Sequence, residues 1–82
     1  MDRKGSMSLA EAPIGAMVLL GSLPADPSLR ERLRAMGVKP GITLQVVRRG
    51  FPGGILHVRV GLLEFMLRRR DGIQMEVAPI SD

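Results

Sequence analysis

The chain has 82 residues, a formal net charge of +4, 45% hydrophobic content and no cysteine. A chain of this length buries only roughly 60% of the surface its unfolded form exposes, so it can build one small core and has little room for an enclosed catalytic cleft. The lack of cysteine excludes a disulfide scaffold, a thiolate nucleophile and a Cys-ligated zinc or iron–sulfur centre.

From the N-terminus, residues 1–8 read as an extension, 9–78 as the folded domain and 79–82 as a tail. Arg3 and Lys4 ahead of "IGAMVLLGSLPA" match a signal peptide only in outline, because Glu11 and Pro13 interrupt the pattern. "SLAE", Ser8 to Glu11, has capping-box spacing, and Pro13 limits any helix there to about one turn. "AMVLL" predicts a first strand ending at Gly21. A helix follows, capped either by Asp26 with Pro27 at its first position or by Ser28 with Glu31.

Leu29, Leu33 and Met36 fall at i, i+4 and i+7 and make one apolar stripe, with Arg30, Glu31, Arg32 and Arg34 elsewhere on the wheel. Gly37 stands where a left-handed helix stop is wanted, with Val38 placed to fold back on Leu33 as in a Schellman motif. Pro40 and Gly41 supply the central residues of a type II turn.

"ITLQVVRR" then alternates, with Ile42, Leu44 and Val46 on one face. "GFPGG" reads as a hairpin connection, and "ILHVRV" alternates again with Leu56, Val58 and Val60 inward. "LLEFML" predicts a fourth strand, "RRRDG" a short helix or turn, and "IQMEV" a last strand with Ile73, Met75 and Val77 on one side. The fold class expected from these elements is mostly β, a small antiparallel barrel of about five strands with one inserted helix.

Little in the chain carries catalytic chemistry. His57 is the single histidine, Ser22, Ser28 and Ser81 have no base nearby, and there is no phosphate-binding loop or dinucleotide fingerprint. His57 with Glu64 and Glu76 is a weak metal-ligand set, and the six methionines suit a core that has only Phe51 and Phe65 as aromatics. The expectation is a protein that is not an enzyme and needs no cofactor. Three basic clusters, Arg30/Arg32/Arg34, Arg48/Arg49 and Arg68/Arg69/Arg70, read first as solvated surface. Without Tyr or Trp for stacking, and with one short helix, nucleic-acid binding is not expected. No segment reaches the roughly 18 apolar residues of a membrane span, so direct insertion is not expected either.

Taken together, Arg30, Arg32, Leu33, Met36, Gly37, Val38, Pro40 and Gly41 resemble the FeoA family pattern Arg-x-Arg-Leu-x-x-Leu/Met-Gly-hydrophobic-x-Pro-Gly. The likeness extends through Gly15 and Val18, "ILHVRVG" and "FMLRRRDGIQMEV". The chain departs from it at "FPGGIL", where the family often has Pro-x-Gly-Asp-Pro, and at Gly72, where alanine is common. The resemblance implies an SH3-like barrel and a cytoplasmic accessory protein of ferrous iron uptake that acts on the FeoB membrane GTPase transporter. The alternative is a stand-alone metal-binding or metal-responsive module, since the same domain type occurs in metal-dependent repressors.

For a partner-binding surface the expected residues are Arg30, Arg34, Arg49, Phe51 and Pro52: guanidiniums to meet carboxylates and a loop aromatic to anchor. Exposed edge strands would also allow self-association.

Overall fold

The computed structural model describes residues 7–50 and 53–80. Six strands form one antiparallel sheet in the order β1-β6-β2-β3-β4-β5. They are β1 (Met7–Ser8), β2 (Met17–Leu20), β3 (Thr43–Arg49), β4 (Ile55–Val60), β5 (Leu63–Arg68) and β6 (Glu76–Pro79). A one-turn 3₁₀ helix (Leu9–Glu11), helix α1 (Pro27–Ala35) and the short helix α2 (Arg69–Ile73) join them.

Two features differ from the expected five-stranded barrel. The sixth strand is β1, whose two residues pair with Val77 and Glu76 of β6 and are too short to show any alternation. The sheet is also not closed. Among the described residues β1 and β5 are its two edges: β5 runs directly into α2, which packs against the 3₁₀ helix, and no strand joins them. Ile73 lies in α2 and is exposed rather than inward, so only Met75 and Val77 of the expected last-strand row reach the core. The tight seat of α2 accounts for glycine at position 72: a β-carbon there would meet Leu56 Cδ1 at 2.5 Å and the Ala10 β-carbon at 3.8 Å.

Helix α1 forms as its local chemistry dictates. Asp26 is the cap, its Oδ2 accepting from the Leu29 N–H at 3.3 Å, and Pro27 occupies the first turn where a missing N–H costs nothing. At the other end the Val38 N–H donates to the Leu33 carbonyl at 2.8 Å and the Gly37 N–H to the Arg34 carbonyl at 3.0 Å. These are the two bonds of a Schellman stop, with Gly37 at φ +87° and Val38 fully buried. The Ile42 N–H then closes the turn over Pro40-Gly41 onto the Lys39 carbonyl at 3.3 Å, with Gly41 at φ +99°. The Gly41 N–H bonds to Leu20 at 2.9 Å, which delivers β3 alongside β2. Leu33 is buried, while Leu29 and Met36 pack half-buried against the core edge.

The core is aliphatic: Val18 and Leu20 of β2, Leu44 and Val46 of β3, Leu56 and Val58 of β4, Leu67 of β5, Met75 just before β6 and Val77 within it. Leu9, Ala10 and Ala12 close it from the 3₁₀ side. Strand β3 breaks its alternation once. Val46 pairs with Val58 but Arg48 with His57, so Val47 is the extra residue of a β-bulge. Beyond it Arg48 lies opposite the outward-facing His57, and Arg49 lies opposite the buried Leu56.

Gly37 and Gly54 give a matched test of the helix stop. Neither has an atom within 4 Å of a β-carbon built on it, but only Gly37 has a positive φ. Gly37→Ala is expected to lower stability in urea by about 1–2 kcal/mol, the left-handed cost of an L-residue. Gly54→Ala is expected to be neutral or slightly stabilising. Equal effects from the two substitutions would contradict the Schellman reading.

Candidate functional site

The exposed arginines sort into separate places. On α1, Arg30 and Arg34 are one turn apart and share a face. They line an open groove of 610 Å³ whose floor is Leu23, Pro24 and Pro40. That floor is held by the junction before β6: the Ala25 N–H donates to Gln74 Oε1 at 2.7 Å, the Gly21 N–H to the Glu76 carbonyl at 2.7 Å, and the Glu76 N–H to Ser22 Oγ at 2.9 Å. Among the described residues, neither Arg30 nor Arg34 makes a side-chain hydrogen bond or ion pair. Two guanidiniums therefore stand over a partly apolar floor and can meet carboxylates in the bidentate geometry that arginine favours.

Arg32, between them in sequence, falls on another side of the helix and lines a second groove with Arg68 and Arg70. The spacing on the helical wheel already separates Arg32 from its neighbours. That β5 and α2 bring two more arginines to it is not readable from the wheel.

Arg49 has a different task. Its guanidinium donates to the Ala10 carbonyl from Nη2 at 3.0 Å and from Nε at 3.2 Å, and to the Ala12 carbonyl from Nη2 at 2.5 Å. It thus ties the 3₁₀ segment to the end of β3, where the bulge has turned it inward, instead of standing beside Arg30 and Arg34. Phe51 and Pro52 lie outside the described residues. The structural role of Arg49 separates it from the other arginines by stability. Arg49→Ala is expected to lower unfolding free energy by about 2 kcal/mol, as lost charge-assisted bonds leave two carbonyls under-satisfied. Arg30→Ala and Arg34→Ala are expected to change it by less than about 0.5 kcal/mol. Three indistinguishable denaturation curves would contradict this assignment.

His57 sits on the outer face of the sheet in a polar row across β3, β4 and β5. Its Nε2 is 2.7 Å from Glu64 Oε1, while the Arg59 guanidinium donates to Glu64 Oε2 from Nη2 at 2.8 Å and from Nε at 3.1 Å. Gln45 completes the row, accepting from Arg59 at 3.4 Å and donating to the Gly15 carbonyl at 2.9 Å. Glu76 is not in it, being on β6. Among the described residues no three His, Cys, Asp or Glu side chains converge as a metal set. Both oxygens of Glu64 face a hydrogen-bonding neighbour, one of them a fixed cation, which disfavours a metal ion at that carboxylate.

The bonds from Arg59, and after it from His57, hold the Glu64 carboxyl below its ordinary value of 4.5. A carboxyl lowered in this way contributes to folding above its ordinary range, and the contribution is lost as pH falls through the lowered value. In a carbon-13 carboxyl NMR titration Glu64 is expected to have its midpoint below 4.5, and Arg59→Ala is expected to raise it. A midpoint indifferent to Arg59 would contradict the pairing.

No helix among the described residues is long and apolar enough to cross a membrane. A family model described as the FeoA domain matches residues 7–79, and no curated protein matches the chain. The fold is similar to the solution structure of FeoA protein from Chlorobium tepidum, with TM-score 0.85 and 27% identity over 92% of this chain and 71% of that one. It is also similar to Stenotrophomonas maltophilia FeoA complexed with zinc, described as a prokaryotic SH3 domain protein, with TM-score 0.73 and 29% identity over 87% of this chain and 88% of that one. A manganese-dependent transcriptional repressor shares the fold alone, at TM-score 0.82 and 16% identity over 98% of this chain and 45% of its own. With the helix, its glycine stop and the Pro-Gly turn in place across the matched span, the chain belongs to the FeoA family, an SH3-like family associated with ferrous iron transport.

Proposed function

We propose that this protein is a cytoplasmic accessory of ferrous iron uptake that works by binding, and that it docks on the cytosolic part of a FeoB-type membrane GTPase transporter. The observation that carries the reading is the groove beneath Arg30 and Arg34. Two guanidiniums with no partner among the described residues flank an apolar floor, on a helix whose Leu33 side is buried in the core. A charged rim around a partly apolar floor that a partner can cover is the anatomy of a protein-binding patch. No group in it is arranged as nucleophile and base. The complementary partner surface carries carboxylates on either side of an apolar side chain. Phe51, in the connection from β3 to β4, is proposed as a second anchor beside Pro52.

The metal-responsive alternative has less support here. His57 is already joined to Glu64, whose second oxygen is held by Arg59.

The test is calorimetric titration of the full chain against the purified cytosolic part of the transporter. Arg30→Glu with Arg34→Glu is expected to weaken binding at least tenfold while leaving the melting temperature unchanged, since rim charges reversed against carboxylates act on association rather than folding. Phe51→Ala is expected to weaken it separately. Binding unaffected by all three changes would remove this surface from the proposal.

A further inference from the structure

The second groove lies on the other side of α1, where the sheet fails to close, and points to a different ligand. Strand β5 is the outer strand there, paired residue for residue with β4 from Ile55↔Arg68 to Val60↔Leu63. Among the described residues its other side makes no ladder and no turn or loop hydrogen bond. Proteins usually blunt such an edge with proline, lysine, a bulge or very short length. Here β5 has six residues, no proline and an unbroken register; its two charges are Glu64, held by Arg59 of β4, and Arg68, and it exposes Leu63 at 39% and Met66 at 64%.

Facing this edge is a groove of 490 Å³ that Leu29 and Arg32 of α1 line together with Met66, Leu67 and Arg68 of β5 and Arg70 of α2. Arg32, Arg68 and Arg70 make no side-chain hydrogen bond or ion pair among the described residues. Of the two acids in the groove, Asp26 already caps α1, leaving Asp71. The excess is positive, beside a strand edge with unused backbone donors and acceptors.

We infer that this groove binds an acidic peptide segment of a partner protein in extended form, added as a strand along β5. Backbone bonds to the open edge hold the segment, its apolar side chains pack toward Leu29 on the core side, and its alternate carboxylates, on the opposite face, meet Arg68 beside Met66, with Arg32 and Arg70 adding to the positive field of the groove. A second copy of this chain is a poorer occupant, because its β5 would bring one carboxylate, Glu64, with an arginine of its own. This surface meets the groove under Arg30 and Arg34 at Gln74 but shares none of its arginines, so substitutions at Arg68 and Arg70 test it independently.

The probe is a short blocked peptide alternating glutamate with valine, titrated to millimolar concentration into the nitrogen-15-labelled full chain at low salt, with a lysine-for-glutamate counterpart as control. The expected result is saturable shifts at the amides of Leu63–Arg68, Leu29 and Arg32, with slowed exchange along β5. Binding should weaken as salt rises and fall at least tenfold in Arg68→Glu with Arg70→Glu, at unchanged melting temperature. Three outcomes overturn the inference: no shifts at β5, equal binding of the lysine peptide, or peptide-independent dimerisation through β5. Shifts confined to Leu23, Arg30 and Arg34 would also overturn it, while leaving the transporter-docking proposal standing.

Discussion

The guanidinium of Arg49 holds a lid on a core that would otherwise be open at one end. Leu9, Ala10 and Ala12 are all buried, yet the segment carrying them is a single 3₁₀ turn, too short to be stable by its own hydrogen bonds. Among the described residues no backbone N–H from another element donates to the Ala10 or Ala12 carbonyl, and in a small core an unsatisfied carbonyl is costly. Arg49 supplies donors to both from the end of β3. With the turn fixed, the Leu9 N–H reaches the Met75 carbonyl at 2.8 Å and β1 is delivered to β6. The order of the sheet on that side follows from the clamp.

The clamp depends in turn on the bulge at Val47. Under strict alternation Arg49 would share the outward row of Gln45. The extra residue reverses the faces, so the arginine reaches inward over the 3₁₀ turn. The same end of the molecule is where α2 presses close enough on Leu56 and Ala10 that residue 72 has no room for a β-carbon unless Leu56 moves. A side chain at 72 and the size of residue 56 therefore belong to one packing problem. A family member with alanine at this position must solve it with a different neighbour or a shifted helix.

What was legible in the sequence was what local chemistry decides. The Asp26 cap, the Leu33 stripe, the Gly37 stop and the Pro40-Gly41 turn depend on residues within one turn of each other, and each appears as read, with Asp26 rather than Ser28 as the cap. The inward rows of β3 and β4 were legible from period-two alternation up to Val46. Beyond that point legibility ends, because a bulge leaves only two adjacent valines as its trace. The inward turn of Arg49, the pairing of β1 and the failure of the sheet to close all depend on contacts distant in sequence. Ile73 misleads for a related reason. Its alternation with Met75 and Val77 is real in the sequence, but the helix that seats α2 on the 3₁₀ turn extends through it. Of the site, the Arg30/Arg34 pairing follows from helical spacing, whereas Arg32 joins Arg68 and Arg70 only once β5 and α2 are placed.

Helix α1 thus serves as a partition as well as a cover. One side buries Leu33, a second carries Arg30 and Arg34 over the loop through Leu23 and Pro24, and a third faces the β5 edge with Leu29 and Arg32. Nine residues are enough because the two ends are fixed independently, by Asp26 at one and by Gly37 and Val38 at the other, so the helix cannot rotate without breaking a cap. A rotation of about 100°, one residue's worth on the wheel, would move an arginine out of each groove and expose Leu33. The glycine stop that marks the family is therefore also what assigns each arginine to its groove, and the identity of the fold and the position of its binding surfaces have the same physical origin.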